Sequence, residues 1–411
     1  MTPDHATLFA AAARHGDTLA RQRLVLYAGA NLPSPEVIAA YAPGLGAMPS
    51  MGPSFDKEQP GTELVSHFEV AVRQEACALF RAGWAEPRLP SATLCNLAVF
   101  HAFARPGELM LAPDKAQGGH LSQRRGGTPD LAGLVCDELP FDAAGLCLDA
   151  TGAARMVEER RPRLVMLGRS VMVRADDIAP VVAAARAVGA TTVFDASHVA
   201  GLIAGGTYPN PLEAGVDVLV TSTYKTLPGL PHGLILGRDP AQGEVLARLL
   251  DARFLANSNA ALLPPLLRLL TDMRAGAADY AGRVVANTAA LARACRRRGL
   301  PVIAPEAGHT HQMLIPIAAE ASPRALVAAL AERGVIIGLC PDITRPGGTA
   351  LRVGTQFVAT LGLLAPDMEA VADILAGLLS GDAGVALRPD PAPGTPARIE
   401  DLLAGAARKA P

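Results

Sequence analysis

The middle of the chain alternates short apolar runs with stretches of helical spacing. Arg163–Leu167, Thr191–Phe194, Val216–Val220 and Leu234–Leu236 are brief and rich in β-branched and aliphatic residues, and Asp176–Val188 between the first two reads as a helix. Strands apolar on both faces and separated by helices predict a mostly parallel sheet covered on both sides. Upstream, Asp4–Arg23 reads as an amphipathic helix capped by Asp4. Arg23–Tyr27 is a short apolar run, and Asn31–Pro35 breaks it before a helix at Glu36–Tyr41. Ala42–Thr62 is a Gly/Pro-rich loop without periodicity, of the kind that serves as a binding or lid segment or as a plain linker. Glu63–Arg81 and the apolar stretch from Leu89 to about Ala104 predict helices, and Glu108–Leu111 a strand.

After about Leu250 the pattern changes. Ala260–Arg298 is long and helical, with an interruption expected near Ala275–Ala278. His311–Ile317, Val335–Ile337 and Thr349–Val353 read as strands, with Pro323–Arg333 and Met368–Leu379 as helices. The expected fold is therefore α/β. Residues 1–40 form an N-terminal arm, 41–280 a large α/β domain, 281–385 a small α+β domain, and 386–411 a tail with a short helix at Ile399–Ala407.

Composition narrows the function classes. Of 411 residues half are apolar, and the formal net charge is −2, with no block of like charge. Neither nucleic acid nor a membrane surface is an expected partner. The six cysteines show no CxxC and no Cys/His cluster, so no metal is expected. Charges interrupt every apolar run of the N-terminal segment, and a cytoplasmic setting with unpaired thiols is expected.

Candidate chemistry gathers in Val193–Gly237. Two predicted strands end in polar residues, Asp195-Ala-Ser-His198 and Thr221-Ser-Thr-Tyr-Lys225, where open α/β sheets place their ligands. Lysine is scarce: Lys57, Lys115, Lys225 and Lys409 are the only four. A lysine directly after a buried strand suits Schiff-base chemistry, and an aspartate ending the neighbouring strand suits the pyridinium nitrogen of pyridoxal phosphate. Ser91 and Thr93 open a helix and are candidate phosphate ligands, although Ser91 could equally serve only as a cap.

The segments DASHVAGLIAGGTYPNP and TSTYKTLPGLPHGLILG, together with Gly118-Gly-His-Leu121 and Leu351-Arg-Val-Gly-Thr355, resemble the serine hydroxymethyltransferase family, pyridoxal-phosphate enzymes of fold type I. The resemblance runs in order from about Leu24 to Leu379. It implies Lys225 as the Schiff-base lysine, Asp195 as the partner of the pyridine nitrogen, and His120 as the residue stacked on the ring. His198 and Ser170 would support the ring substituents. Ser91, Ala92 and Thr93 match the phosphate cup, with Ala92 where glycine is usual, and Ser222 joins the cofactor-binding set. Arg352 matches the arginine that grips the substrate α-carboxylate, with Tyr224 beside the lysine as a second substrate contact. The implied partners are amino-acid and aldehyde substrates and a second copy of the chain, in a homodimer or a tetramer built from it, with active sites at the subunit interface.

Departures from the family pattern fall on one side of this picture. The family's Tyr-Ala-Glu-Gly-Tyr loop is replaced by Pro49-Ser-Met-Gly-Pro53, which puts Met51 where the catalytic glutamate is expected. A thioether cannot serve as a proton donor or acceptor there. Lys115 and Gly338-Leu-Cys340 replace folate contacts, which puts tetrahydrofolate in doubt. The resemblance thus implies cleavage or formation of the Cα–Cβ bond of a β-hydroxy-α-amino acid of the glycine/serine/threonine type, with a threonine aldolase or transaldolase fitting at least as well as serine/glycine interconversion. Transamination, racemisation and β-elimination remain open, as does a binding-only homologue. The sequence names neither the aldehyde nor the stereochemistry at Cβ.

Overall fold

The computed structural model describes residues 4–303 and 309–408. By its internal contacts the chain divides into two units, Pro33–Gly282 with Ile343–Pro346, and Met1–Leu32 with Arg283–Asp342 and Gly347–Pro411.

The larger unit is built on a seven-stranded sheet. Its strands are β1 (Trp84–Glu86), β2 (Leu109–Ala112), β3 (Val135–Glu138), β4 (Leu164–Leu167), β5 (Thr191–Asp195), β6 (Val218–Ser222) and β7 (Gly233–Gly237), in the order β1-β7-β6-β5-β4-β2-β3. From β3 through β2, β4, β5 and β6 every neighbour is parallel, and β7 runs antiparallel to both β6 and β1. The mostly parallel sheet read from the sequence is thus present. β4, β6 and β7 are buried at every position, and β5 is buried from Thr192 on, the pattern expected where helices cover both faces. Cys95, Ala98, Val99 and Phe103 of the apolar helix Ala92–Phe103 belong to one buried cluster with Met110, Met166, Val193 and Val220 of the sheet.

β5 and β6 are adjacent and parallel, with Asp195 opposite Val220. Their carboxyl ends therefore deliver Asp195 and Ser222 to the same edge, and the turns that follow carry His198 and Lys225.

The smaller unit has a three-stranded antiparallel sheet, with Thr349–Gly354 between Gln312–Pro316 and Gly338–Pro341. Leu24–Val25 pairs in parallel with Val335–Ile336. The C-terminal helix Thr395–Ala407 is longer than the one expected at Ile399–Ala407, and its Ile399, Leu403 and Ala406 enter the same apolar cluster as Leu351, Val353 and Leu375.

One expectation is overturned. No break occurs near Ala275–Ala278, because Leu263–Arg297 is a single continuous helix. A lone glycine such as Gly276 costs only about 1 kcal/mol relative to alanine, too little to interrupt a helix held along its length. No helix among the described residues is long and apolar enough to cross a membrane.

Candidate active site

At the carboxyl edge of β4–β6 lies a pocket whose wall includes ten of the eleven residues singled out from sequence. Ser91, Ala92 and Thr93 enter from the start of the helix Ala92–Phe103. His120 comes from the turn after Gly118, Ser170 from the segment after β4, and Asp195 with His198 from the end of β5. Ser222 ends β6, and Tyr224 and Lys225 follow it. The eleventh, Arg352, lies on Thr349–Gly354 of the smaller unit and is 9% exposed.

Local backbone bonds explain how these groups are held. Ser91 caps its helix by accepting from the Leu94 N–H at 3.3 Å, and it also lines the pocket, so the cap and the pocket-facing position coexist. The helix start leaves backbone N–H groups without helical acceptors, a setting that favours an anion. Gly168 has φ +80°, and any Cβ there would strike the carbonyl oxygen of Asp195. Glycine is required where the two strand ends come this close. Ser170 is fixed by its N–H donating to the Gly118 carbonyl at 2.8 Å, which ties it to the turn of His120.

Asp195 is 6% exposed. Its carboxylate accepts from the Ser197 N–H at 3.0 Å and from Asn96 Nδ2 at 3.0 Å. The Ser222 N–H donates to Ser197 Oγ at 3.1 Å, bracing β6 against the turn that follows Asp195. Thr226 Oγ1 donates to the His198 carbonyl and accepts from the Gly201 N–H, both at 3.0 Å. That hydroxyl pins the turn of Lys225 to the segment after β5. Lys225 Nζ stands 5.8 Å from the centre of the Tyr224 ring.

Two buried polar atoms in or beside this pocket have no hydrogen-bond partner, Ser222 Oγ and Asn96 Oδ1. A buried polar atom left unsatisfied is costly unless a ligand meets it. Together with a lysine, an aspartate and a helix start, Ser222 Oγ in the pocket wall fits a flat anionic cofactor with a ring nitrogen and an aldehyde, as pyridoxal phosphate has.

Sequence reasoning missed Asn96 and, in the pocket wall, Ser122, Gln123, Arg169 and Ser197. Asn96 and Ser122 connect Asp195 to His120. Arg169 is 4% exposed, ion-paired with the buried Asp176, and set with its guanidinium carbon 4.9 Å from the centre of the Phe141 ring. A polar residue inside the apolar run Leu94–Phe103 was the available signal for Asn96.

Comparison with known proteins gives this geometry a family. Residues 8–253 match the serine hydroxymethyltransferase family description. The chain belongs to the serine hydroxymethyltransferase family. It is 34% identical over 358 residues to an α-methylserine aldolase of Variovorax paradoxus, covering 86% of this chain and 81% of that protein. It is 30% identical to the serine hydroxymethyltransferase of Pyrobaculum neutrophilum over 385 residues, 92% of this chain and 89% of the relative. In fold it is similar to the L-threonine transaldolase of Pseudomonas fluorescens, with a TM-score of 0.85 at 23% identity over 98% of this chain and 91% of that one. The family and this fold are those of pyridoxal-phosphate enzymes of fold type I, as the motifs implied. No group of three or more metal-ligating side chains occurs among the described residues.

Proposed function

We propose that this member of the family breaks or forms the Cα–Cβ bond of a β-hydroxy-α-amino acid, using pyridoxal phosphate and without requiring tetrahydrofolate. The observation that carries the reading is the convergence of Lys225, Asp195, His120, His198 and the Ser91–Thr93 helix start on one pocket. When bound, pyridoxal phosphate supplies an electron sink for a bond broken at the substrate Cα.

The chain's own residues supply the rest. Lys225 holds the cofactor aldehyde and takes up or releases a proton at Nζ as the substrate amine replaces it. Asp195, oriented by Asn96 and Ser197, holds a proton at the ring nitrogen. Ser91, Thr93, Ser222 and the helix N–H groups take the phosphate, while Ser170 and His198 take the ring substituents. Arg352 is assigned to the α-carboxylate from its place in Leu351-Arg-Val-Gly-Thr355, a planar fork suited to a carboxylate. Tyr224 is assigned to the substrate side. The working form is a homodimer, as the family resemblance implies.

The independence from folate is motivated by Met51. Its N–H donates to Gln59 Oε1 at 2.8 Å and its carbonyl accepts from the Glu58 N–H at 3.1 Å, within a loop whose residue at this position carries no titratable group. Names of the relatives support aldol chemistry at a serine-type or threonine-type carbon. The test is incubation of purified protein with serine, threonine and α-methylserine, with and without tetrahydrofolate, followed by assay of released aldehyde. Release without folate, abolished by Lys225→Ala, is expected. A keto acid or an inverted stereocentre in place of aldehyde would overturn the reading.

A further inference from the structure

We infer that Asn96 and Ser122 fix the proton of His120 on Nε2, so that the ring lining the pocket is a neutral imidazole of one tautomer. Counting hydrogens leads there. Asn96 is fully buried, and its Nδ2 lies 3.0 Å from Asp195 Oδ2 and 3.0 Å from Ser122 Oγ. A carboxylate oxygen only accepts, so the amide must present its NH2 group to Asp195. Both hydrogens of that group are then used, one for Asp195 and one for Ser122. Ser122 Oγ, 1% exposed, is thereby an acceptor toward Asn96, and its single hydrogen is directed to the remaining contact, His120 Nδ1 at 2.8 Å. The Ser122 backbone N–H points to the same ring nitrogen at 3.2 Å. Two donors converge on Nδ1, and only a nitrogen with a lone pair can receive them.

The polarity of this chain is set at Asp195 and transmitted through two side chains to His120. Asn96 and Ser122 are positioning residues in this sense. The consequence deepens the proposed function and rests on it, whereas the tautomer itself does not. The pocket wall already holds Lys225 and Arg169. An uncharged ring can lie against an electron-poor aromatic cofactor, where an imidazolium would add a further positive charge and be repelled. It also orients the ring about its own axis, since two bonds to one nitrogen leave little rotational freedom.

The experiment uses the full chain, labelled with nitrogen-15 in its histidine rings and recorded before and after addition of pyridoxal phosphate. His120→Asn assigns the resonances. In the wild type Nε2 is expected in the protonated range with a directly coupled hydrogen, and Nδ1 in the unprotonated range. Ser122→Thr, which keeps the hydroxyl, should leave both unchanged. Ser122→Ala removes one of the two donors and Asn96→Leu releases the serine hydroxyl, so each should shift Nδ1 toward the average of two exchanging tautomers. A wild-type ring protonated on Nδ1, or resonances unmoved in Ser122→Ala, overturns the inference. Should Asn96→Leu fail to fold, the wild type and the two Ser122 variants decide alone. Aldehyde release from the same wild-type sample separates the two claims. The expected tautomer without aldehyde refutes the function and not the tautomer, and aldehyde with the other tautomer does the reverse.

Discussion

Ser222 shows how one atom can be a cost in one state and a ligand in another. Its Oγ is buried at the end of β6 without a partner, while its N–H is bonded to Ser197. An unsatisfied buried hydroxyl opposes folding, and a hydrogen bond to a charged group contributes about 1.5–3 kcal/mol. Ser222→Ala should therefore leave the unloaded protein as stable as the wild type or slightly more so. The same change should weaken pyridoxal-phosphate binding by roughly 10- to 150-fold, by that figure converted at 1.36 kcal/mol per decade. Denaturant midpoints and cofactor titration read the two effects separately. A loss of stability in the unloaded protein with unchanged cofactor affinity would show that the hydroxyl is structural. Lys225→Ala gives the complementary result: cofactor addition should no longer produce an amino-acid-dependent absorbance change, with the far-ultraviolet circular dichroism unaltered.

At the scale of elements, the Gly/Pro-rich segment Ala42–Thr62 is anchored by charge. Lys57 Nζ, 4% exposed, donates to Glu69 Oε1 at 2.7 Å and to the Gly52 carbonyl at 2.8 Å, and Glu69 is fully buried in the helix Glu63–Phe80. Ser54 donates to the same carboxylate and receives a bond from Arg73 at 2.7 Å. Removing one member of a buried pair strands the other, at a cost of about 3–5 kcal/mol. Glu69→Ala should lower unfolding free energy by that amount, and the double change Lys57→Met with Glu69→Leu should recover most of it. Guanidinium unfolding of the three proteins measures both, and a near-neutral Glu69→Ala would show the pair to be dispensable. None of this was legible in the sequence, because the loop has no periodicity and Lys57 and Glu69 carry no mark of their pairing. Strands β4 to β7 were legible for the opposite reason: each is a short, largely apolar run, and β4, β5 and β6 end where the candidate chemistry begins. β1 and β3 were missed because they carry acidic residues, Glu86 in one and Asp137 with Glu138 in the other, and β3 lies at the sheet edge. The pocket was read from motifs that lie on consecutive strand ends, whereas Asn96, Ser122 and Arg169 act through contacts that no spacing reveals.

Two buried groups of the larger unit make the stability of the whole molecule depend on pH in the same direction. His232 is 4% exposed and bonds through Nε2 to the Pro87 carbonyl, and burial holds its pKa below the ordinary value of about 6.5. Burial also works against the Glu86 carboxylate, yet the attraction and hydrogen bonds of Arg88, with Arg73 beyond, bring its pKa below the usual range. Both folded-state values are depressed, so in each case the unfolded chain binds the proton more readily. Stability is then complete above the unfolded values and falls as pH drops, since the unfolded state gains protons the folded state resists. His232 contributes from about pH 6.5 downward and Glu86 from about pH 4.5, each until its own folded value is passed. The expected unfolding free energy is flat near neutrality and declines in two stages on acidification. His232→Gln keeps a donor for Pro87 and removes the titrating ring, so its curve should lose the first stage and keep the second. Urea unfolding at half-unit intervals between about pH 2.5 and pH 8 tests this, and a first stage unchanged in His232→Gln would assign it to another group.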